Sequence, residues 1–278
     1  YPTAEYRETS DAVSKHLDEQ YDFLVLFHLD AESNGAWCGG TSGGFSMVTL
    51  TKTAQDQDTY GGIFASLYPN WGDYNTLGHE FGHYRGATDV YQYGIPATNN
   101  PINGEAFSAP KCNMNDSGEW IWSDYASAVF NYTAKWKRLP PEYSANRFPS
   151  SIVMSITRDG VPMQGATIHL YGCRGNGEKG LSNGSTAPDV YPVAFRTFIT
   201  DGEGQCVIEN VERLYQVKRS EEPEGLLPDK MPYEYWFNFL VEIITEDGEK
   251  YYDWMPDLDI HREHLENNTE QYQLNIQL

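Results

Sequence analysis

The chain has 278 residues, of which 40% are hydrophobic and 14% aromatic, so it has enough apolar material for one large or two ordinary domains. Its 19 basic and 40 acidic residues give a formal net charge of −21. So acidic a surface repels phosphate backbones, which argues against nucleic-acid binding. No apolar run approaches the ~18 residues needed to cross a membrane, so no transmembrane segment is predicted.

The first half of the chain alternates helix and strand signals. Residues 10–20 are predicted to form a short helix, and the apolar run 22–29 a central strand covered on both faces. A glycine-rich loop over residues 39–44 separates this strand from another over residues 45–51. Residues 92–118, rich in Pro, Asn and Gly, are expected to form a long loop.

Two further helices are predicted on either side of that loop. Asn75 is a good N-cap for a helix that ends at Gly86, and Ser123 caps a second helix that reaches about residue 138. The apolar residues available for the buried stripe of the second helix are Tyr125, Val129, Phe130 and Trp136.

From residue 151 the pattern changes to short alternating runs, separated by turn signals such as Asp159-Gly160. This pattern is typical of an antiparallel β-sandwich. The preceding residues 139–150 have the composition of a linker. We therefore predict an α+β chain with one domain over residues 1–145 and a β-sandwich domain over residues 146–278.

The four cysteines are divided evenly between the two predicted domains. Cys38 and Cys112 fall in the first, and Cys173 and Cys206 fall in predicted strands of the second. An even division suits one disulfide per domain in an oxidising compartment, and Cys173–Cys206 is the favoured pair. Because the chain also begins at tyrosine, as a processed chain would, we expect a secreted, periplasmic or cell-surface protein.

The strongest chemical signal is the H-E-x-x-H pattern of residues 79–83. On a helix, residues four apart lie one above the other, so the rings of His79 and His83 can bind one metal ion. Two imidazole nitrogens suit Zn²⁺. Glu80 follows His79 directly, so we expect its carboxylate to act as the general base towards a water molecule at the metal.

The residues after His83 extend this pattern to H-E-x-x-H-x-x-G-x-x-D. Gly86 allows a backbone φ above zero, so that the chain can turn sharply away from the helix end. The turn is predicted to carry Asp89 back to the metal as the third ligand. Requiring this glycine and this aspartate makes the pattern much more specific than H-E-x-x-H alone.

The extended pattern resembles the signature of the metzincin clan of zinc peptidases, with Asp89 in the place of the usual third histidine, as in its snapalysin-like minority. The resemblance spans roughly residues 23–138. It implies a zinc endopeptidase acting on extracellular proteins or glycoproteins. The implied catalytic domain has a mixed sheet, an active-site helix, a methionine turn (Met-turn) beneath the metal and a C-terminal helix.

Met114 matches the Met-turn by its position between Asp89 and the second helix. Some clan members have a tyrosine two residues after this methionine that assists the oxyanion, but here that residue is Asp116. Tyr91 and Tyr93 are therefore candidates for the same role. An aspartate ligand also offsets more of the metal's charge than a histidine would.

Other interpretations of the same residues remain open. The zinc site could be purely structural, with Cys112 as a fourth ligand, or degenerate and inactive. The aromatic residues and the β-sandwich would then suit a non-enzymatic adhesin or glycan-binding protein. A third alternative is an inhibitor or pseudo-enzyme whose cleft is blocked by residues 92–118. The sequence predicts neither the substrate nor the oligomeric state.

The second domain resembles the prealbumin-like modules appended to secreted peptidases. The similarity lies in residues 159–171, which would lead into a strand, and in residues 200–204, which would form a β-turn between strands. It implies a spacer or substrate-positioning role without catalytic residues. His261 and His264 are interpreted as part of a solvated helical face.

Overall fold

The computed structural model describes residues 24–28, 35–40, 46–51, 73–115, 121–136, 139, 143, 147–174, 189–218 and 233–278. The predicted helix over residues 10–20 and the position of Asp116 lie outside these ranges. Within them the protein combines helices with mixed and antiparallel sheets, which is an α+β structure as predicted. None of the helices in the described ranges has the length and apolar character needed to span a bilayer.

The chain divides into two compact units. Unit 1 comprises Tyr1–Asp89 and Lys111–Ala145, and unit 2 comprises Val90–Pro110 and Asn146–Leu278. One division therefore falls between residues 145 and 146, where the sequence places the domain boundary. The segment Val90–Pro110, which the sequence assigns to the first domain, is grouped with unit 2.

The described strands of unit 1 are β1 (Leu24–His28), β2 (Gly35–Gly40) and β3 (Ser46–Thr51). They form a mixed sheet in the order β1-β3-β2, in which β3 pairs in parallel with β1 and antiparallel with β2. β1 and β3 were expected from their apolar runs, whereas the glycine-rich β2 was not. Among these three strands the central one is β3, although the sequence favours β1.

Two α-helices are described in unit 1. Helix α1 (Asp73–Tyr84) begins two residues before its predicted cap, Asn75. Helix α2 (Asp124–Thr133) begins directly after its predicted cap, Ser123, whose Oγ accepts from the Ala126 amide at 3.3 Å. α2 ends earlier than predicted. Arg85, just beyond α1, donates to the main-chain oxygens of Thr133 and Trp136, which satisfies carbonyl groups left without helical partners.

Unit 2 contains two sheets and two helices. The strands are β4 (Ser151–Arg158), β5 (Val161–Pro162), β6 (Thr167–Arg174), β7 (Asp189–Val190), β8 (Arg196–Ile199), β9 (Gln205–Glu209), β10 (Gln216–Lys218), β11 (Tyr233–Ile244), β12 (Lys250–Pro256) and β13 (Gln271–Gln277). The six-stranded sheet is built around β11, which pairs with β6, β10 and β12, while β6 also pairs with β7 and β8. In the four-stranded sheet, β4 pairs with β5, β9 and β13. The helices are α3 (Val211–Tyr215) and α4 (Asp257–Asn267), accompanied by 3₁₀ turns at Tyr91–Tyr93 and Ala97–Asn99.

Both sheets of unit 2 contribute side chains to one hydrophobic core. Alternation along β4 buries every second residue in this core, while β11 supplies Trp236 and Phe239. β13 pairs in parallel with β4, so the predicted antiparallel arrangement is wrong for this pair of strands. Helix α4 connects β12 to β13 and so provides the crossover that a parallel pair requires.

The two turn predictions for this half of the chain are confirmed. Asp159 and Gly160 have φ values of 51° and 76° between β4 and β5, and strand β6 follows. Between β8 and β9, Gly204 has a φ of 71°, and Asp201 accepts hydrogen bonds from two main-chain amides of the turn.

The predicted Cys173–Cys206 disulfide is wrong. Cys112, Cys173 and Cys206 are thiols rather than halves of disulfides. Cys206 lies in the core between the sheets, whereas Cys173 belongs to a separate apolar cluster with Ile95 and Leu240. The two side chains therefore enter different clusters, and burial raises the pKa of the Cys206 thiol to about 11.

The prediction of a solvated histidine face is also wrong. His261 and His264 are both buried on α4, and His261 packs against the ring of Phe148 at 6.1 Å. Burial holds the pKa of His261 well below its usual value. The helix therefore turns its histidines towards the interior of unit 2.

Close packing at Gly172 predicts a large effect of a small substitution. A Cβ atom at Gly172 would lie 1.8 Å from Trp236 Cε3, and this buried indole also contacts Phe195 at 4.4 Å. Gly172→Ala should therefore destabilise unit 2 by about 3 kcal/mol, measured by urea unfolding. The matched control is Gly202→Ala, because nothing lies within 4 Å of a Cβ there. Equal unfolding midpoints for the two variants would contradict this packing.

Candidate metal centre

Helix α1 carries the two histidines of the H-E-x-x-H pattern. His79 and His83 lie one turn apart, with ring centroids separated by 4.8 Å and ring planes at 86°. Glu80 belongs to the same helix, but its side chain lies outside the described residues. The periodicity of the helix therefore places both imidazoles on one face, as the spacing predicts.

The end of α1 turns the chain back towards these rings. Gly86 has a φ of 91°, which confirms the predicted positive value. The Gly86 amide donates to the His83 carbonyl at 2.8 Å and the Ala87 amide donates to the Gly82 carbonyl at 3.0 Å, which is the Schellman arrangement of a helix end. The turn returns Asp89 to the histidine face.

Asp89 meets both histidines with a single oxygen atom. Its Oδ1 lies 3.0 Å from Nε2 of His79 and 3.0 Å from Nε2 of His83. One potential ligand atom from each of the three residues lies within 4.8 Å of the others. We call these three residues the metal centre.

Hydrogen bonds to the main chain determine which nitrogen of each histidine ring carries the proton. Nδ1 of His79 donates to the Asn113 carbonyl, and Nδ1 of His83 donates to the Ala87 carbonyl, each at 2.9 Å. A carbonyl can only accept, so both Nδ1 atoms carry the proton. In the neutral rings the Nε2 lone pairs then face the carboxylate of Asp89, an arrangement that needs a proton or a metal ion between the nitrogens and the oxygen.

The environment of His79 also favours positive charge. Burial lowers the pKa of His79, but the hydrogen bonds to Asp89 and to the carbonyl of Asn113 outweigh it, so the net shift is upward. The side chains of His79, His83 and Asp89 retain 18%, 24% and 24% of their exposure, so the metal centre is open to small molecules.

Met114 lies directly against the helix turn that carries the histidines. It is fully buried, and a Cβ atom at Gly82 would be 2.3 Å from its sulfur, so glycine is required for this approach. The Asn115 amide donates to the Cys112 carbonyl at 2.8 Å, which closes a tight turn around Met114. This turn also presents the Asn113 carbonyl to His79, a contact with no side-chain signal in the sequence.

The tyrosine candidates for the oxyanion are both in unit 2. The ring of Tyr93 is fully buried and its hydroxyl donates to the carboxylate of Asp257, so Tyr93 is wrong as an oxyanion residue. Tyr91 is half-buried on the same 3₁₀ turn, and its role stays a prediction. Cys112, the candidate fourth ligand of a structural site, is buried, and its sulfur accepts from the Ser123 amide at 3.3 Å.

In comparisons with known proteins, no family model and no curated protein matches this chain. Its chemistry is therefore inferred from the metal centre itself. Two imidazole nitrogens and one carboxylate oxygen form a ligand set that zinc favours. Three protein ligands with solvent access are typical of catalytic zinc sites, whereas structural sites close the fourth position with another side chain.

The turn after α1 predicts a specific loss of metal binding. Gly86→Ala must hold a φ of 91°, and its Cβ would lie 2.7 Å from the Tyr143 ring, whose hydroxyl donates to the Gly86 carbonyl. We expect a loss of about 3 kcal/mol in stability and a weakened affinity for zinc. Urea unfolding and zinc titration measure the two effects.

The control for this variant is Gly248→Ala, which has a similar φ of 86° with nothing within 4 Å of the new Cβ. It should lose only about 1 kcal/mol from backbone strain and bind zinc normally. If Gly86→Ala bound zinc as well as Gly248→Ala, the turn would not be what positions Asp89.

Proposed function

We propose that this protein is a zinc-dependent endopeptidase whose metal is held by His79, His83 and Asp89. The observation that carries the proposal is the convergence of the two Nε2 atoms on Asp89 Oδ1, at 3.0 Å each. Both Nδ1 atoms are already used by main-chain carbonyls, so the convergent nitrogens are the atoms left to bind a metal.

When bound, zinc would supply a Lewis acid that polarises the substrate carbonyl and activates water. The remaining steps belong to side chains of this chain. Glu80, next to His79 on α1, would accept the proton of the attacking water and deliver it to the leaving amine. Asp89 would offset part of the metal's charge, while the carbonyls of Asn113 and Ala87 keep the imidazoles in one orientation.

The order of elements in unit 1 supports a metzincin-like catalytic domain. A mixed sheet precedes the helix with both histidines, the turn at Met114 packs under that helix, and α2 follows. In unit 2, two sheets around a common core support the β-sandwich interpretation, and with it a prealbumin-like module that would act as a spacer or position substrate. With Cys112, Cys173 and Cys206 present as thiols, the support for secretion is the resemblance to secreted peptidases.

An exposed apolar surface beside α1 supports a polypeptide substrate. Ile121 and Trp122 retain 47% and 41% of their exposure, and as neighbours in the chain they form a small exposed apolar surface. The Trp122 ring would be 3.5 Å from a Cβ at Gly82, and it packs edge-on against Phe130 at 4.7 Å. Because Gly82 directly precedes His83, this exposed indole suits contact with an apolar side chain of a peptide bound at the metal centre.

The test separates metal binding from turnover. Glu80→Gln removes the proposed base without removing a ligand, so zinc content should remain while kcat falls by at least ~100-fold. Zinc is measured by metal analysis, and turnover by cleavage of an unstructured protein with and without a chelator. The matched control is Glu212→Gln, because Glu212 is exposed on the short helix α3 and should not affect either quantity.

Retained cleavage by Glu80→Gln, or cleavage that survives complete removal of metal, would refute the proposed mechanism. A chain that binds zinc but cleaves none of a broad set of unstructured substrates would favour the non-enzymatic alternative. A glycan-binding screen on the same preparation would then test that alternative directly.

A further inference from the structure

A groove with a volume of about 610 Å³ opens in unit 2, lined by residues of strands β8 and β9 and of helix α3. This volume falls within the range of ~300–1,000 Å³ that is typical of sites for small organic molecules. Among the described strands, β8 pairs only with β6 and β9 pairs only with β4. The groove therefore lies where an edge of the six-stranded sheet meets an edge of the four-stranded sheet.

The floor of the groove is apolar. Phe198 lies opposite Ile168 in the pairing of β8 with β6, and it packs against the core of unit 2 while remaining partly exposed. Ile208 of β9 and Leu214 of α3 also line the groove, and both are buried in the same core. Because core packing holds these side chains in place, an apolar group that enters the groove meets a surface that is already formed.

Two arginines give the groove a positively charged rim. Arg196 and Arg213 line it together with one acidic residue, Glu209, and all three residues are exposed. In the whole chain, by contrast, 40 acidic residues outnumber 19 basic ones. This local reversal of charge favours a negatively charged ligand at a position where the rest of the protein would repel one.

Arg196 is held in place by the residue before it. Its guanidinium carbon lies 3.9 Å from the centroid of the Phe195 ring, and its Nη1 donates to the Phe195 carbonyl at 3.2 Å. In the described ranges of the chain no carboxylate forms an ion pair with Arg196. A guanidinium group has further N–H donors beyond the one used here, so Arg196 can still bind a carboxylate through two parallel hydrogen bonds.

The turn between β9 and α3 positions the remaining polar groups. Asn210 has a φ of 57°, a conformation that asparagine adopts more readily than most residues. Its amide donates to the Ser150 carbonyl at 3.0 Å, and its carbonyl accepts from the Arg213 amide at 2.9 Å. The exposed side chain of Asn210 also lines the groove, where it adds a neutral hydrogen-bonding group.

We propose that this groove binds a small organic molecule that carries a carboxylate beside an apolar group. The carboxylate would bind the guanidinium groups of Arg196 and Arg213, and the apolar group would cover Phe198. Two positive charges and the one negative charge of Glu209 leave a net charge of +1 at the groove, which suits a carboxylate better than a doubly charged phosphate. The groove lies within unit 2, so this inference does not depend on the proposed zinc site.

The test compares N-acetylphenylalanine with its amide, because the two compounds differ only in the charged group. Each is titrated against the full-length chain, and binding is followed by ligand-observed NMR. We expect the acid to bind saturably and the amide to bind about tenfold more weakly, since the amide loses a charge-assisted hydrogen bond. Inorganic phosphate should also bind more weakly than the acid, because it leaves the apolar floor uncovered.

Arg196→Gln locates the binding site. It removes the charge and the paired donors from the rim, so the affinity for N-acetylphenylalanine should fall about tenfold. The matched control is Arg262→Gln, which changes the net charge equally but lies on α4, where Arg262 pairs with Glu266 at 4.0 Å. The control should bind the acid within about twofold of the unaltered chain. Circular dichroism verifies that both variants are folded.

The inference would be overturned by equal affinities of Arg196→Gln and Arg262→Gln for the acid, or by the absence of saturable binding up to about 10 mM. Equal binding of the acid and its amide would show that the arginines do not recognise the carboxylate. Binding of inorganic phosphate as tight as that of the acid would show that the apolar floor contributes nothing. Because Arg196→Gln should leave zinc content and protein cleavage unchanged, failure here is distinct from failure of the proposed function.

Discussion

Two hydrogen bonds from imidazole Nδ1 atoms to main-chain carbonyls determine what this site can bind. They turn the remaining nitrogens of His79 and His83 towards Asp89. Because both acceptors are main-chain groups, the orientation of the rings depends on local backbone geometry. The Ala87 carbonyl is set by the Schellman turn after α1, and the Asn113 carbonyl by the tight turn that contains Met114.

Two glycines make this geometry accessible. A glycine inside a helix costs about 1 kcal/mol relative to alanine, yet Gly82 lies within α1 between the two histidines. Met114 gives the reason, since its sulfur occupies the space that a Cβ would need. Gly86 lies past the helix end, where positive φ and the nearby Tyr143 ring both exclude a side chain. Gly82 therefore allows the turn around Met114 to pack against α1, and Gly86 allows the chain after α1 to return to the face that carries the histidines.

How much the sequence predicts depends on the range of the interactions involved. The helix spacing, the positive φ at Gly86 and the cap at Ser123 are local, and the sequence predicts them. Strand β2 lacks β-branched residues and forms through pairing with β3, so composition is a poor guide there. The predicted Cys173–Cys206 disulfide is wrong for a similar reason. The alternation of apolar and polar residues assigns both cysteines to strands, but it does not indicate which sheet each strand joins or which face each side chain occupies. Likewise, nothing local indicates that His261 is buried or that the Asn113 carbonyl accepts from His79.

The least predictable feature is the path of the chain through the two units. It leaves unit 1 after Asp89 and re-enters at Lys111, two residues before the carbonyl that orients His79. Nothing in the local sequence indicates this excursion into unit 2, because Tyr93 and Ile95 pack against Phe237 and Leu240 of β11, which come far later in the chain. Hydrophobic periodicity identifies residues that will be buried, but it does not identify the element against which they pack.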